Sequence, residues 1–381
     1  MLLLLTLLAC ADGATPANSK PAHNAGTGDA DDTMAPNPSA ADVLLTGGRL
    51  AGTEAPVDVW MRSGRVHAVV PGGGTTDATN ELRTDALTTI DISGRWLAPA
   101  FIDSHVHLAY LTQADDMLRG GVAGAVDLAA PMASIGADVG PMRMLWSGPM
   151  LTAVDGYPTQ SWGRNGYGLE VTTIAEAEAG VAALADAGAK VIKVPLGDAP
   201  ELSPTVVTAI VEAAHSRGMR VTTHALHDTA ARVAATAGVD VLAHTPVSLL
   251  SAGTAEAWSG RAVISSVSAF GGSDDTVQNL GILRAAGVVV LYGTDFGNTR
   301  TPRIQEPELA LMQAAGMSGA EILAAGTSAP AAWWGFEDLG EISAGKAASL
   351  LVLAADPHTN PLTLAAPEQV WIDGVRVDNQ R

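Results

Sequence analysis

Short apolar segments alternate with helical segments through residues 99–339, and this alternation limits the possible folds more than any other feature. Eight segments have the composition of buried strands: AFIDSHVHL, AGAVDLA, MLWSGPML, KVIKVPL, RVTTHAL, VDVLAHTP, AVISSVSAF and VVVLYGTDFG. Thr173 and Glu176 form a capping box at the start of one intervening helix. Nearly continuous apolar strands between helices indicate a parallel sheet covered on both faces. The pattern predicts an α/β fold with a (β/α)8 TIM-like barrel, for which about 250 residues are typical.

A doubly wound open sheet is the alternative arrangement of the same elements. Folds of that kind bind dinucleotides at a glycine-rich turn after the first strand. No such fingerprint follows LAPAFIDSHVHL. The barrel is therefore the favoured prediction, and its catalytic groups are expected at the C-terminal ends of the strands.

The regions on either side of the barrel, residues 41–98 and 340–381, have a β pattern. DVLLTGGRL and VDVWMRSGRVHAVV are short strands with glycine turns, and QVWIDGVRV contains an Asp-Gly hairpin signal. Neither region has enough strands for a stable sheet alone. We predict that the two regions pair into one small β-sandwich domain.

The first forty residues predict export rather than folding. Residues 1–10, MLLLLTLLAC, are too short to span a bilayer, which needs roughly 20 apolar residues. They resemble a lipoprotein signal peptide, whose cleavage before Cys10 would leave a lipidated cysteine. No Lys or Arg precedes the apolar run, so a plain secretory signal or a misassigned start codon are alternatives. Residues 11–40 predict a flexible linker, and the protein is expected in the periplasm or on the outer surface, lipid-anchored at Cys10.

The charge balance excludes some classes of partner. The chain has 21 Lys+Arg against 40 Asp+Glu, a net charge of −19. Nucleic-acid binding needs clustered basic residues, so it is not expected, and a membrane contact is expected only through the lipid anchor. A small-molecule partner is the remaining prediction, and the oligomeric state is not predicted. Cys10 is the sole cysteine, so an intrachain disulfide is excluded.

Polar residues stand where several predicted barrel strands end. Residues two apart in a strand share one face, so His105 and His107 point in the same direction. A single buried histidine is more often a hydrogen-bonded core residue than a ligand. Six polar residues at one rim are poorly explained by six separate structural roles. They are His105, His107, Lys193, His224, His244 and Asp295.

At these residues the sequence resembles the metal-dependent amidohydrolase superfamily. The similarity is greatest to the imidazolonepropionase-like group, which includes Xaa-Pro dipeptidases. It is carried by LAPAFIDSHVHL, LRGGVAGAVDLAAP, GAKVIKVPLG, VTTHALHDTAARVAATAGVDVLAHTP and LYGTDFG, and covers about residues 41–381. Ala100 stands where glycine is usual, HALH stands where HAHG is common, and the stretch between the first strand and Lys193 is short for the group. The short stretch concerns the substrate pocket more than the metal ligands.

The resemblance implies two divalent metal ions, Zn²⁺ in the first place, with Mn²⁺ or another divalent ion as alternatives. One ion would be held by His105, His107, Lys193 and Asp295, and the other by Lys193, His224 and His244. It also implies that Lys193 carries a carbamate formed from CO2, and that a hydroxide between the ions attacks the substrate. Asp295, which would accept the hydroxide proton and pass it to the leaving amine, and His244 are the implied catalytic residues.

The function expected from this resemblance is hydrolysis of an amide-like C–N bond, in a dipeptide or an N-acyl amino acid. A mononuclear hydrolase of cyclic amides, of the imidazolonepropionase type and with unmodified Lys193, is one alternative. Lactone or phosphotriester hydrolysis is another. A catalytically silent binding lipoprotein is the alternative from a different class.

The loop after the third strand, TAVDGYPTQSWGRNGYG, is the candidate for substrate contacts. It carries Tyr157, Trp162, Arg164 and Tyr167 in a chain with only 4% aromatic residues. Loops on this rim of a barrel carry specificity. Arg164 would either pair with a substrate carboxylate or remain solvated.

Overall fold

The computed structural model describes residues 42–72 and 88–378. The strands in these ranges are β1 (Val43–Leu50), β2 (Pro56–Arg62), β3 (Arg65–Pro71), β4 (Thr88–Asp91), β5 (Trp96–Pro99), β6 (Phe101–Val106), β7 (Val122–Asp127), β8 (Arg143–Trp146), β9 (Met150–Thr152), β10 (Gly168–Glu170), β11 (Val191–Leu196), β12 (Arg220–Ala225), β13 (Val241–Leu242), β14 (Ala262–Ile264), β15 (Val289–Leu291), β16 (Leu350–Leu353), β17 (Gln369–Ile372) and β18 (Val375–Arg376). The α-helices are α1 (Ala114–Arg119), α2 (Ile174–Asp186), α3 (Pro204–His215), α4 (Asp228–Ala237), α5 (Ala252–Ala257), α6 (Asp274–Ala285), α7 (Glu306–Ala314), α8 (Gly319–Gly326) and α9 (Ser328–Trp334). Short 3-10 helices cover Met132–Ser134, Ser268–Phe270 and Pro361–Ala365.

The central strands close into a barrel. Parallel strands β6, β7 and β8 form one hydrogen-bonded run, and β11 to β15 form another. The runs meet on one side where Lys190 N donates to Trp146 O (3.0 Å). They meet on the other side where His107 N donates to Phe296 O (2.6 Å). Within the described residues the predicted eight-stranded barrel is therefore confirmed, and the open-sheet alternative is wrong.

The predicted helix start signal forms in the structure. Thr173 Oγ1 accepts from Glu176 N (3.2 Å), and Glu176 Oε2 accepts from Thr173 N (3.0 Å). This exchange satisfies backbone donors that have no partner inside the helix. Strand β11 begins only five residues after the same helix ends at Asp186, so the loop that leads to Lys193 is short.

The β domain joins segments from both sides of the barrel, as predicted. β5 pairs antiparallel with β16, with Pro99 opposite Leu350. The full order is β18-β17-β16-β5-β1-β2-β3, with β4 beside β1. The hairpin between β17 and β18 turns at Asp373 (φ 47°) and Gly374 (φ 73°), the two positive φ values that an Asp-Gly turn supplies. Arg143 at the start of β8 donates to Asp338 (2.7 Å) and to Asp373 (2.5 Å), and so connects this domain to the barrel.

Several predictions lie outside the described residues. Cys10, the signal segment of residues 1–10 and the linker of residues 11–40 belong to this part of the chain. Their roles, and the predicted domain boundaries at residues 98–99 and 339–340, remain predictions. In the described part of the chain, no helix combines the length and the apolar character needed to cross a bilayer.

Candidate metal centre

A hydrogen bond to the backbone fixes the tautomer of His105. Its ring is buried, and Nδ1 lies 2.9 Å from Ala243 O. Because a carbonyl oxygen only accepts, Nδ1 carries the proton and Nε2 keeps its lone pair. Burial, with the nearby ammonium of Lys193, holds the pKa of His105 well below its ordinary value, so the ring is neutral.

Asp295 faces both histidines of the HVH motif. Its Oδ1 lies 3.1 Å from His107 Nε2 and 3.5 Å from His105 Nε2. Burial by itself would raise the pKa of Asp295, but His105, His107 and Lys193 together lower it to about 2. The residue has φ 51°, a turn that lies just beyond β15, and Asn298 Nδ2 donates to Oδ1 (3.1 Å). An ionised carboxylate therefore faces the lone pair of His105 at 3.5 Å, an arrangement that a cation between them would stabilise.

His224 and His244 continue the same group of side chains. The ring centroids of His105 and His244 are 4.5 Å apart, and those of His244 and His224 are 5.0 Å apart. Burial, assisted by neighbouring positive groups, lowers the pKa of His224 to about 3 and that of His244 well below its ordinary value. Neutral imidazoles are the form that binds metal ions.

Lys193 is the unusual member of the site. It lies in the middle of β11, fully buried, and its Nζ has no hydrogen-bond partner among the described residues. Burial lowers the pKa of Lys193 to about 7, although Asp295 acts in the opposite direction. A buried amine without a partner is costly, so the position favours a chemical partner or a covalent change at Nζ.

The donor set fits a divalent metal ion. Ligand atoms of His105, His107 and Asp295 all lie within 4.8 Å of one another, and all three residues are buried. Buried ring nitrogens of His105, His107 and His244 have no hydrogen-bond partner in the described structure. Buried polar atoms are normally satisfied, and imidazole with carboxylate is a donor set typical of Zn²⁺ and similar ions.

Asp103 supports these ligands from the neighbouring backbone. Its Oδ1 accepts from His105 N (3.1 Å) and Thr294 N (3.1 Å), and its Oδ2 accepts from Thr294 Oγ1 (2.5 Å). Thr294 immediately precedes Asp295 in the sequence. One buried carboxylate therefore holds both strand ends that carry the HVH histidines and Asp295.

The family comparison decides the assignment of this barrel. A family model described as the amidohydrolase family matches residues 96–377. The chain belongs to the amidohydrolase family. It is therefore an enzyme, a hydrolase that acts on carbon–nitrogen bonds.

Relatives of this amidohydrolase extend over nearly its whole length. An uncharacterized protein of Mycobacterium tuberculosis is 25% identical over 389 residues, covering 90% of this chain and 98% of that protein. A Xaa-Pro dipeptidase with bound methionine in the active site gives a TM-score of 0.74 at 19% identity, over 89% of this chain and 100% of that chain. A prolidase complexed with N-methylphosphonate-L-proline gives a TM-score of 0.71 at 21% identity, over 89% of this chain and 100% of that chain. The ochratoxinase of A. niger gives a TM-score of 0.71 at 19% identity, over 90% of this chain and 96% of that chain. At these identities the solved structures show the shared fold.

Two of the four predicted substrate-loop residues lie over the histidines of this amidohydrolase, and a third, Tyr167, packs against one of these two. Tyr157 stacks on His224 with ring centroids 5.3 Å apart, and Trp162 lies 5.1 Å from His107. Trp162 Nε1 donates to Tyr157 Oη (2.9 Å), and Tyr167 is buried 5.3 Å from Trp162. Arg164 is exposed instead, and donates to Gln160 O of its own loop (3.1 Å). The described contacts of the loop with the site are therefore aromatic.

Sequence reasoning missed three residues near the site. Phe270 packs against His244 with ring centroids 4.7 Å apart, and Tyr110 lies 5.5 Å from Trp162. Asp198 places Oδ2 3.6 Å from His224 Nε2. Each residue follows a barrel strand by a few positions, so the strand-end rule could have located them. Nothing in their local sequence distinguishes them from ordinary loop residues.

Proposed function

We propose that this protein is a metal-dependent amidohydrolase that cleaves the amide bond of a dipeptide or an N-acyl amino acid. The observation that carries the proposal is the buried group formed by His105, His107 and Asp295, whose ligand atoms lie within 4.8 Å of one another. His244, His224 and Lys193 adjoin this group. No serine or cysteine nucleophile is needed, since a cation can activate water directly.

The proposal assigns six residues to two metal ions. His105, His107, Asp295 and Lys193 would hold one divalent ion, and His224 and His244 would share Lys193 with a second. A cation bound there supplies Lewis acidity, which lowers the pKa of water and polarises a carbonyl group. Carboxylation of Lys193 would convert its amine and CO2 into a carbamate anion and release one proton. The buried, unpartnered Nζ supports this change, because an anion suits a position between cations and a free amine does not.

Asp295 is the proposed proton carrier. Its carboxylate is ionised at neutral pH, accepts from Asn298 Nδ2, and lies 3.1 Å from His107 Nε2. As water oxygen adds to the amide carbonyl carbon, Asp295 would take the water proton. When the C–N bond breaks, Asp295 would pass that proton to the leaving nitrogen, giving an amine and a carboxylic acid, which then releases the second water proton to solvent. His244, in contact with Phe270, would position the carbonyl end of the substrate.

The surroundings support a small peptide-like substrate. Tyr157, Trp162 and Phe270 place apolar rings against the histidines, which favours an apolar substrate side chain. Two solved proteins of the same fold are a Xaa-Pro dipeptidase with bound methionine and a prolidase complexed with a proline-containing ligand. These neighbours make dipeptides and N-acyl amino acids the first substrates to test.

A substrate panel tests the proposal. Protein prepared with Zn²⁺ or Mn²⁺ and bicarbonate should release amine from dipeptides or N-acyl amino acids. Asp295→Asn should lower kcat by about 10²-fold or more, since it removes the proton acceptor. Asp275→Asn, on the exposed start of α6, is the matched control and should leave kcat unchanged. If no compound is cleaved in a panel that also contains cyclic amides, lactones and phosphotriesters, the function is wrong. If only cyclic amides, lactones or phosphotriesters are cleaved, the substrate class is wrong.

Metal content tests the ligand assignment independently of activity. Elemental analysis should find about two equivalents per chain in the wild type, as a two-metal site requires. Lys193→Ala should reduce this towards one or fewer, whereas Lys190→Ala, at an exposed position just before the same strand, should not. A single equivalent that is indifferent to Lys193 would instead indicate a mononuclear site.

A further inference from the structure

Asp198 is a carboxylate at the mouth of the site that the proposed chemistry does not use. It follows β11, the strand of Lys193, by two residues. Its Oδ2 lies 3.6 Å from His224 Nε2, and its side chain is 57% exposed. This charge therefore lies beside the proposed reaction centre without the cost of burial.

The loop that carries Asp198 is held in place. Gly197 has φ 101°, and its N–H donates to Glu201 Oε2 (2.7 Å). The same loop packs against the aromatic loop closely enough that a Cβ at Gly156 would meet Pro200 O at 2.8 Å. Asp198 and Tyr157 thus occupy one corner of the site, where Tyr157 also stacks on His224.

Among the described residues, no lysine or arginine compensates this carboxylate. Within residues 42–72 and 88–378, Asp198 forms no ion pair with a lysine or an arginine, and its one ionic contact is with His224. A histidine that binds a metal ion is neutral, so His224 would not neutralise it either. The negative charge is therefore available to a ligand that enters the site.

We propose that Asp198 binds the α-ammonium group of the residue on the acyl side of the scissile bond. The inference rests on the proposed function, which names two substrate classes. It selects free dipeptides over N-acyl amino acids as the substrates. In a dipeptide the ammonium is attached to the carbon next to the scissile carbonyl, so it must lie within a few ångströms of the bound carbonyl. A carboxylate beside a ligand histidine meets this requirement and forms a charge-assisted hydrogen bond. The ring of Tyr157 in the same corner adds a favourable surface for a cation.

A matched pair of substrates tests this role. Leucyl-phenylalanine and 4-methylpentanoyl-phenylalanine differ only by the α-amino group. The wild type should have the higher kcat/KM for leucyl-phenylalanine. Asp198→Asn should lower kcat/KM for that dipeptide by about 10- to 100-fold, mainly through KM, which corresponds to one charge-assisted hydrogen bond. The same variant should leave kcat/KM for the desamino compound and the bound metal unchanged.

Control variants separate this role from general charge effects. Glu201→Gln removes a negative charge on the same loop but keeps an acceptor for Gly197 N. It should leave kcat/KM unchanged for both substrates. Asp198→Lys should weaken hydrolysis of the dipeptide further than Asp198→Asn, because it places like charges together.

Two results would overturn the inference while leaving the proposed function in place. One is an equal loss of kcat/KM for both substrates in Asp198→Asn, together with a loss of bound metal. That result would mean that Asp198 positions His224 and does not bind the substrate. The other is a wild type that prefers the desamino compound. An enzyme that cleaves neither substrate, nor any other amide, would overturn the proposed function and this inference with it.

Discussion

Asp103 shows at the level of one residue how the metal ligands are held. The sequence places it two residues before His105, on the same face of the first strand. In the structure its two oxygens accept three hydrogen bonds, from His105 N and from both Thr294 N and Thr294 Oγ1. It therefore connects the first and last barrel strands directly beside the ligands. Burial raises the pKa of Asp103 to about 7, although these donors act in the opposite direction.

Replacing Asp103 should disturb both stability and metal binding. Asp103→Ala leaves three buried donors without a partner, each costing about 1–3 kcal/mol, so the free energy of unfolding should fall by at least about 3 kcal/mol. Loss of ligand support typically costs 10- to 100-fold in metal affinity, and a loss of about this size is expected. Urea denaturation and competition with a chelator measure the two effects. Asp103→Asn, which keeps one acceptor oxygen, is the control and should lose markedly less of both. Equal losses of stability and metal affinity in Asp103→Ala and Asp103→Asn would contradict this account.

At the level of elements, Glu308 couples the helix after the last barrel strand to the loop after the seventh. It is buried in α7, and its carboxylate accepts from Val267 N (3.0 Å) and Ser268 N (2.7 Å). These donors begin the 3-10 helix Ser268–Phe270, which places Phe270 against His244. A side chain remote from the chemistry thus determines the position of one wall of the site.

The buried Glu308 should make stability depend on pH. Burial raises the pKa of Glu308 above its ordinary value of 4.5, so the folded protein binds this proton more tightly than the unfolded chain. Its contribution to the free energy of unfolding is full below the unfolded pKa and is lost as pH rises through the folded pKa. The stability advantage of wild type over Glu308→Gln should therefore shrink as the pH rises from the unfolded pKa of about 4.5 through the higher folded pKa. Urea denaturation of both proteins at a series of pH values measures the difference in their free energies of unfolding. A difference that does not change with pH would contradict the expectation.

Glu308 also shows the limit of prediction from sequence at this level. The strands and the helix starts follow local patterns, so the barrel and the capping box at Thr173 were predictable. The partners of Glu308 lie about forty positions earlier, and no local pattern relates them. Phe270 was assigned to a strand, whereas β14 ends at Ile264 and Phe270 lies in a 3-10 helix.

At the level of the whole molecule, the proposed lipid anchor predicts where the protein is found. In a bacterial host, full-length protein should fractionate with membranes and incorporate a labelled fatty acid at Cys10. Cys10→Ser removes the acceptor thiol, so both the label and most of the membrane association should be lost, since stable anchoring needs acyl chains. Ser19→Ala, in the predicted linker, is the control and should behave as wild type. Membrane association that persists without label in Cys10→Ser would contradict lipidation there.

Hydrophobic periodicity, capping residues and strand-end histidines are properties of short segments, so they could be interpreted before any contact was known. On that basis the barrel, the pairing of both β regions and the six polar residues were predicted from the sequence. The orientation of those residues depends on barrel closure, which brings Asp295 within 3.5 Å of His105 across the join between first and last strands. The same closure decides which loop residues reach the site, because Asp198, Phe270 and Tyr110 come from different loops. A local pattern carries no information about contacts between distant segments, and only the folded chain determines them.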